Sequence, residues 1–473
     1  MPINSLPTAI QSVIQQGFLE RRFQQALRAK LGFRAIADRE AFGAGIGETI
    51  TKTRTGLLAA VTAPMAVAAV TDFTSGLTNQ NYSVEQFTLG VAQYAAPMQL
   101  NVATARVAID DLYLQNAYAL GEQAARSVDT LAQRALFDQY MGGNSRVTTT
   151  LGAAGTAVHV DDVRGFFMTL NSQGVPVSVS STNTLSVTVG SDVYTLTGAV
   201  ADGAAPATIN PWLSSLAFSG SSSNSSTTPG GFSGTLTFSA NVTIADGTAG
   251  NAVVSAVAPF VMRPSATAAG NAMAGTTAAI SAANDINAAK LTMQMILTAK
   301  ATMSANAVPP VADAANYILY ADPIHLTGLY QDPAFQYFFR GKPETTEYRR
   351  GLVAELLGCS IVETNLNPVQ ALSGVGTVRR AVLCGQGALV EADFTRAAYA
   401  AAEKVDDADG MITVVDGIAH VTREPLDTLK QVVTQAWSYI GGFVAPTDVT
   451  TNPNTVPTAT NSALKRAVIL ESL

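Results

Sequence analysis

The sequence predicts an α+β protein built around one long helix, and three observations predict it. Residues 102–141 contain no proline and are rich in helix formers. They set Ile109, Leu112, Leu120, Val128 and Leu131 on one apolar stripe. The next stretch, 148–262, loses nearly all its charge and breaks into short alternating runs such as TLSVTVG and GTLTFSA. Beyond it, helical and strand-like segments interleave to the last residues, the pattern of a mixed α/β domain.

Residues 1–42 read as an N-terminal arm. Ile10, Ile14 and Phe18, then Phe23, Leu27 and Leu31, step by four and predict one or two amphipathic helices. Arg21, Arg22, Arg28, Lys30, Arg34 and Arg39 make this the most basic segment. That charge fits a solvated helix face, a contact with an acidic neighbour, or an arm touching DNA. Gly43, Gly45 and Gly47 mimic a phosphate-binding glycine loop only in spacing, because that motif follows a strand and opens a helix.

Residues 43–99 read as an extended loop. Glu48–Leu58 forms one strand and Val84–Gln93 its return. Two strands and a tip cannot bury a core of their own, so the arm needs a surface to lie on. The tip residues Phe73, Leu77, Asn79 and Tyr82 are its expected contacts with a neighbouring subunit; a hairpin folded back on its own chain is the alternative. Residues 100–147 hold the long helix, roughly 60 Å at ~1.5 Å per residue, stopped by Gly142-Gly143-Asn144.

The segment 148–262 reads as an inserted all-β module with Asp161, Asp162, Arg164, Asp192, Asp202 and Asp246 as its only formal charges. Within it, GSSSNSSTTPGG at 220–231 is expected to be a mobile loop. Residues 263–473 read as a mixed α/β domain. Asn284–Asn306 is its first helix, stopped at Pro309-Pro310, and YILYADP is a buried strand. HLTGLYQDPAFQYFF is helical, and GCSIVETNL, RRAVLCGQGALVEADF, MITVVDGIAHVTREP and LKRAVILES are strand-like.

Composition narrows the function classes. The 473 residues are 47% hydrophobic and only 13% charged, about half the charged share of an ordinary soluble domain. Such a surface suits a chain covered by copies of itself. With 28 basic against 35 acidic residues the net charge is −7, which argues against a dedicated nucleic-acid grip. No run reaches the ~18 apolar residues of a membrane span, and no signal peptide or membrane association is expected.

No phosphate loop, nucleophile elbow, zinc-protease helix or CxxC is present. No catalytic residue, metal site or cofactor is expected. His159, His325 and His420 stand far apart and read as packing or surface residues. Cys359 and Cys384 read as buried small hydrophobes. Asp406, Asp407, Asp409 and Asp416, with Gly410, partly match a calcium-loop template. Val405 fills the first ligand position, so an acidic turn is the favoured reading.

The serial order of arm, β loop, long helix, β insertion, α/β domain and terminal strand resembles the major capsid proteins of tailed bacteriophages with the Hong Kong-97-type fold. Local phrases agree: GETITKTRTG resembles the start of the extended loop of podovirus-like coat proteins, and ARSVDTLAQRALFDQYMGG the end of their spine helix. GTLTFSANVTIADGTAGNAVVSAVAPFVMRPSA resembles their β insertion where it rejoins the body. ADPIHLTGLYQDPAFQYFFRG with GLVAELLGCSIVETN resembles the helix and strand before the last axial strands.

The resemblance implies a shell subunit that forms pentamers and hexamers around double-stranded DNA without sequence-specific binding. It implies assembly in a host bacterial cytoplasm through a procapsid, with a separate scaffolding protein, a portal and a decoration protein as partners. Some relatives crosslink through a lysine and an asparagine. Lys52 and Asn79 lie in the loop, but nothing marks them as such a pair. The alternatives are an encapsulin-type compartment shell, a surface-layer or adhesin protein and, last, an enzyme.

Overall fold

The computed structural model describes residues 32–41, 49–55, 57, 58, 60, 62, 84–101, 112–171, 176–205, 216–221, 223–264, 273–274, 290–311, 316–339, 355–372, 376–393, 412–423, 432–446 and 465–473. They divide between two compact units. The first draws on Met1–Ile50, Leu89–Phe137 and Gly387–Ala445, the second on Thr51–Thr88, Asp138–Gln386 and Pro446–Leu473.

The hub of the first unit is the strand Val432–Val444. Ala92–Asn101, Ile418–Arg423 and Leu389–Asp393 all pair with it antiparallel. Ile412–Val415 extends the sheet beyond Ile418–Arg423, and Ala37–Ala41 runs parallel to Leu389–Asp393. Across this sheet lies the helix Leu112–Tyr140. Leu120, Ala124, Ala125 and Val128 pack on Val415, Ile418, Trp437 and Tyr439. Alanine at two of these contacts lets the helix approach the sheet closely, and Leu120, Ala124 and Val128 keep the i, i+4 spacing of one face.

Leu120 and Val128 are buried and Leu131 is half-buried. Leu112 begins the described helix, while Ile109 lies outside the described residues. The strand Ala92–Asn101 departs from the sequence reading, which ran one return strand over Val84–Gln93. The chain breaks step at Val91. Val84–Gly90 pairs with Thr49–Thr55 as a two-stranded sheet, and Ala92–Asn101 joins the larger sheet instead. Its alternation is weak in sequence because alanines fill both faces, yet Tyr94, Ala96 and Met98 all pack on the core. Among the described residues this strand has a partner on one side only, where Pro97 is accommodated.

The arm reading needs a correction where it is described. Phe33–Ile36 is one turn of 3-10 helix and Ala37–Ala41 is a strand, so Arg34 and Arg39 do not sit on an amphipathic helix face. The earlier arm positions lie outside the described residues.

In the second unit the insertion is a closed barrel. Its strands follow the order Asn144–Arg146, Ala252–Ser255, Leu185–Val189, Asp192–Ala201, Gly234–Val242 and Gly155–Val160. A bridge between Val147 and Val160, and the Asp161 N–H donating to the Arg146 carbonyl at 3.0 Å, join the last strand back to the first. Closure removes the open edges that invite misassociation. Val158, Val160, Leu185, Val187, Val189, Leu196, Leu236, Phe238 and Val253 fill the interior. Leu185, Val187 and Val189 face in while Ser186 and Thr188 face out, the period of two that the sequence displays.

The rest of this unit is a mixed sheet with helices. Its spine of strands runs Val261–Pro264, Ala467–Ser472, Gly376–Cys384, Tyr317–Ala321 and Cys359–Glu363. The terminal strand is therefore interior, parallel to Val261–Pro264 and antiparallel to Gly376–Cys384. Met293–Ala305 starts where the Thr292 side chain accepts from the Met295 N–H. Asp322 does the same for Pro323–Gln331, with proline at the first turn. The shorter Pro333–Phe339 follows.

Candidate functional site

The charged side chains that the sequence leaves isolated inside apolar strands converge in the structure. Glu471, on the terminal strand, is fully buried. Arg263 Nε donates to its Oε2 at 2.9 Å and Arg380 Nε to its Oε1 at 3.0 Å, and Arg146 Nη2 also donates to Oε2. Arg380 and Glu471 are direct cross-strand partners. Gln370 accepts from Arg146 and Arg380, and its amide nitrogen donates to Asp161 at 3.0 Å. The cluster thus ties the strand that enters the barrel, the strand that leaves it, and the chain's last strand.

Burial alone would raise the Glu471 carboxyl. The three guanidiniums outweigh it and hold the group far below the usual carboxylate range. Burial also lowers Arg263, to about 10 despite the attraction of Glu471, which leaves it charged at neutral pH. No single-residue motif marks this cluster. Its trace in the sequence is a lone charge within each of NSRV, VMRP and VILES, with a fourth in the RRAVL strand.

The charges of the barrel secure its loops. Asp161 accepts from the backbone N–H groups of Thr227 and Thr228 at 2.8 and 3.0 Å. The serine-rich loop expected to be mobile is therefore pinned at those residues, because a buried carboxylate needs several donors and the loop supplies them. Asp246 accepts from the Ser191 N–H, Tyr194 Oη and Thr243 Oγ1. Arg164 bridges Asp162 and Asp138, and its carbonyl accepts from the Gly143 N–H at 2.8 Å just beyond the helix stop. Gly143 and Gly165 both have positive φ there, and a Cβ on Gly165 would lie 2.0 Å from the Gly143 nitrogen.

A second buried cluster organises the first unit. Arg34 donates to Glu391 through Nε and Nη2 at 2.9 and 2.7 Å and lies over the Tyr439 ring. Tyr439 Oη donates to the same carboxylate at 3.0 Å. Asp129 on the long helix accepts the N–H groups of Gly32 and Arg34, both at 3.1 Å. Asp416 sits at φ 51 in the tight turn Asp416-Gly417 and pairs with Arg39 at 3.0 Å. It is an arginine partner; the other acids of the calcium template lie outside the described residues.

Beside the helix runs a groove of about 950 Å³, bounded by Gln93–Ala96, Trp437 and the helix flank from Ala119 to Arg134. Arg126 and Arg134 line it and both are exposed. The loop-tip residues Phe73, Leu77, Asn79 and Tyr82 lie outside the described residues. Before the tip, Leu57 and Leu58 are 63% and 55% exposed.

The histidines stay apart. His159 bonds Asp202 at 2.7 Å and Thr148, and burial lowers His325 and His420 to about 4. Cys359 and Cys384 are free and buried, and burial pushes the Cys359 thiol up to about 11. Among the described residues no group of three histidine, cysteine or carboxylate side chains could hold a metal ion. No described helix is long and apolar enough to cross a membrane.

No family model and no curated protein matches the chain. Among solved structures it is similar to the capsid of Ralstonia phage GP4, at 12% identity and a TM-score of 0.44, over 94% of this chain and 89% of that one. It is similar to the capsid of cyanophage Pam1 at 12% identity and a TM-score of 0.45, over 95% and 91%. For the capsid of cyanophage P-SCSP1u the values are 10% and 0.43, over 93% and 87%.

Proposed function

We propose that this chain is the major capsid protein of a tailed bacteriophage, with the Hong Kong-97-type fold, and that its copies close into an icosahedral shell around double-stranded DNA. The observation that carries the reading is the order of elements along the chain. A two-stranded hairpin precedes a long helix, a closed barrel is inserted after it, a mixed sheet follows, and the last strand returns inside that sheet. That order is the one in which the sequence resembles phage coat proteins.

The physics supports a tiled subunit. Among the described residues the hairpin Thr49–Thr55 with Val84–Gly90 joins no larger sheet, although its return strand buries Phe87 and Leu89 within the chain. Beyond its first strand Leu57 and Leu58 are exposed. That exposed part of the arm would gain stability by covering another copy, and a chain with 13% charged residues has a surface suited to that. The buried ion clusters fix a framework, which fits a structural role. Partners on this reading are other copies as pentamers and hexamers, a separate scaffolding protein, a portal and a decoration protein. Assembly takes place in the host cytoplasm. The inserted barrel counts against an encapsulin.

Size-exclusion chromatography and negative-stain microscopy of the purified chain test this. Capsomers or shells are expected, and a well-behaved monomer with hydrolytic activity would overturn the proposal. Deleting residues 60–82 should leave the subunit folded and stop shells from closing. Loss of folding in that variant contradicts the assignment of the loop to a neighbour.

A further inference from the structure

Among the arginines whose side chains the structure describes, all but two donate to a carboxylate or carbonyl, from Arg34 and Arg39 in the first unit to Arg466 in the second. The exceptions are Arg126 and Arg134, and both line the groove beside the long helix. Eight residues apart on one helix, they stand ~12 Å apart along its axis. The floor between them holds Ala95, Ala96 and Leu131, relief on the scale of side chains. One run in the sequence has matching chemistry and no assigned role. Residues 403–409 carry Glu403, Asp406, Asp407 and Asp409, more carboxylates than any other window of that length.

We propose that this groove is an electrostatic socket for the acidic run 403–409 of a second copy of the chain. The inference rests on the shell reading, which places copies side by side. Carboxylates four residues apart, as Glu403 and Asp407 are, would share one face of an extended chain ~13 Å apart, within reach of two flexible guanidiniums ~12 Å apart. A protein run fits the socket better than nucleic acid does. The lining mixes alanine and aromatic surface with two cations and one carboxylate, Glu122, and the chain as a whole carries −7. Each exposed pair is individually weak, so the contact is expected to weaken roughly fivefold per interface on loss of both pairs. It should also fade near 1 M salt, where charges are screened within ~3 Å.

The test uses full-length chains and sedimentation velocity. Arg126→Glu/Arg134→Glu and Glu403→Lys/Asp407→Lys should each assemble only at several-fold higher concentration, with thermal melts like that of the unmodified chain. Mixed in equal amounts, the two variants should co-assemble at a lower concentration than either does alone, because a groove can then meet the opposite charge on a neighbour of the other variant. Unchanged thresholds in either variant overturn the proposal. So does rescue in one chain carrying all four changes without rescue by mixing, which would place the contact within a single copy. Binding of a labelled random-sequence DNA duplex that is lost in Arg126→Glu/Arg134→Glu, with assembly intact, would assign the groove to nucleic acid instead. If the unmodified chain never assembles, the shell reading falls separately, and pairing of the mixed variants still reports on the groove.

Discussion

Replacing Glu471 with glutamine is the sharpest probe of the framework. The change keeps the side chain's size and removes the one carboxylate that meets Arg146, Arg263 and Arg380 together. Removing one partner of a buried ion pair leaves uncompensated charge and costs about 3–5 kcal/mol. In a unit of roughly 300 residues each kcal/mol moves the melting midpoint by about 1.5 °C, so E471Q should lower it by about 6 °C. Differential scanning calorimetry on the full chain reads this directly. A second substitution locates the effect: adding Arg263→Met to E471Q removes one stranded cation and should recover part of the loss. A shift under about 2 °C for E471Q, or no recovery in the double variant, would refute the idea that this carboxylate fastens the barrel to the terminal strand.

Other predictions follow from the same packing. His325 and His420 are held at about 4, below the ordinary 6.5, so the folded state binds their protons less tightly than the unfolded chain does. Their contribution is full above pH 6.5 and is lost as pH falls toward 4, at about 1.4 kcal/mol per pH unit per histidine. Glutamine at either position should flatten that part of a melting-against-pH curve. Glu471 has the same sign over a lower window: its contribution is full above about pH 4.5 and is lost progressively as pH falls below that into strong acid. Gly165→Ala must force a Cβ within 2.0 Å of the Gly143 nitrogen at φ +84, whereas Gly152→Ala meets nothing within 4 Å. The first should destabilise by more than about 2 kcal/mol and the second by a few tenths, compared in urea melts. The barrel, with its own core and closed edges, should fold when expressed alone as residues 142–260, giving a dispersed NMR spectrum.

Regular elements with strong periodicity were legible in the sequence. The alternation in LSVTV and the i, i+4 steps of Leu120, Ala124 and Val128 each report a buried face directly. The strand Ala92–Asn101 was hidden because alanine on both faces erases the period of two. The division of the last two hundred residues between two units was also hidden. Strands such as Leu389–Asp393 and Ala467–Ser472 look alike locally, and only pairing assigns one to each unit. The buried clusters escaped notice for a related reason. Arg146, Arg263, Arg380 and Glu471 span over three hundred positions in sequence, and a lone charge in an apolar strand does not name its partner. The unpaired state of Arg126 and Arg134 emerged only once the other described arginines had partners.

A cryo-electron microscopy reconstruction of the purified, assembled chain tests the central claim most directly. The account predicts a closed shell of five-fold and six-fold rings in which residues 56–83 of each copy lie on another copy. A particle without such rings, or a solitary 49.0 kDa chain with that segment folded on its own body, would contradict it.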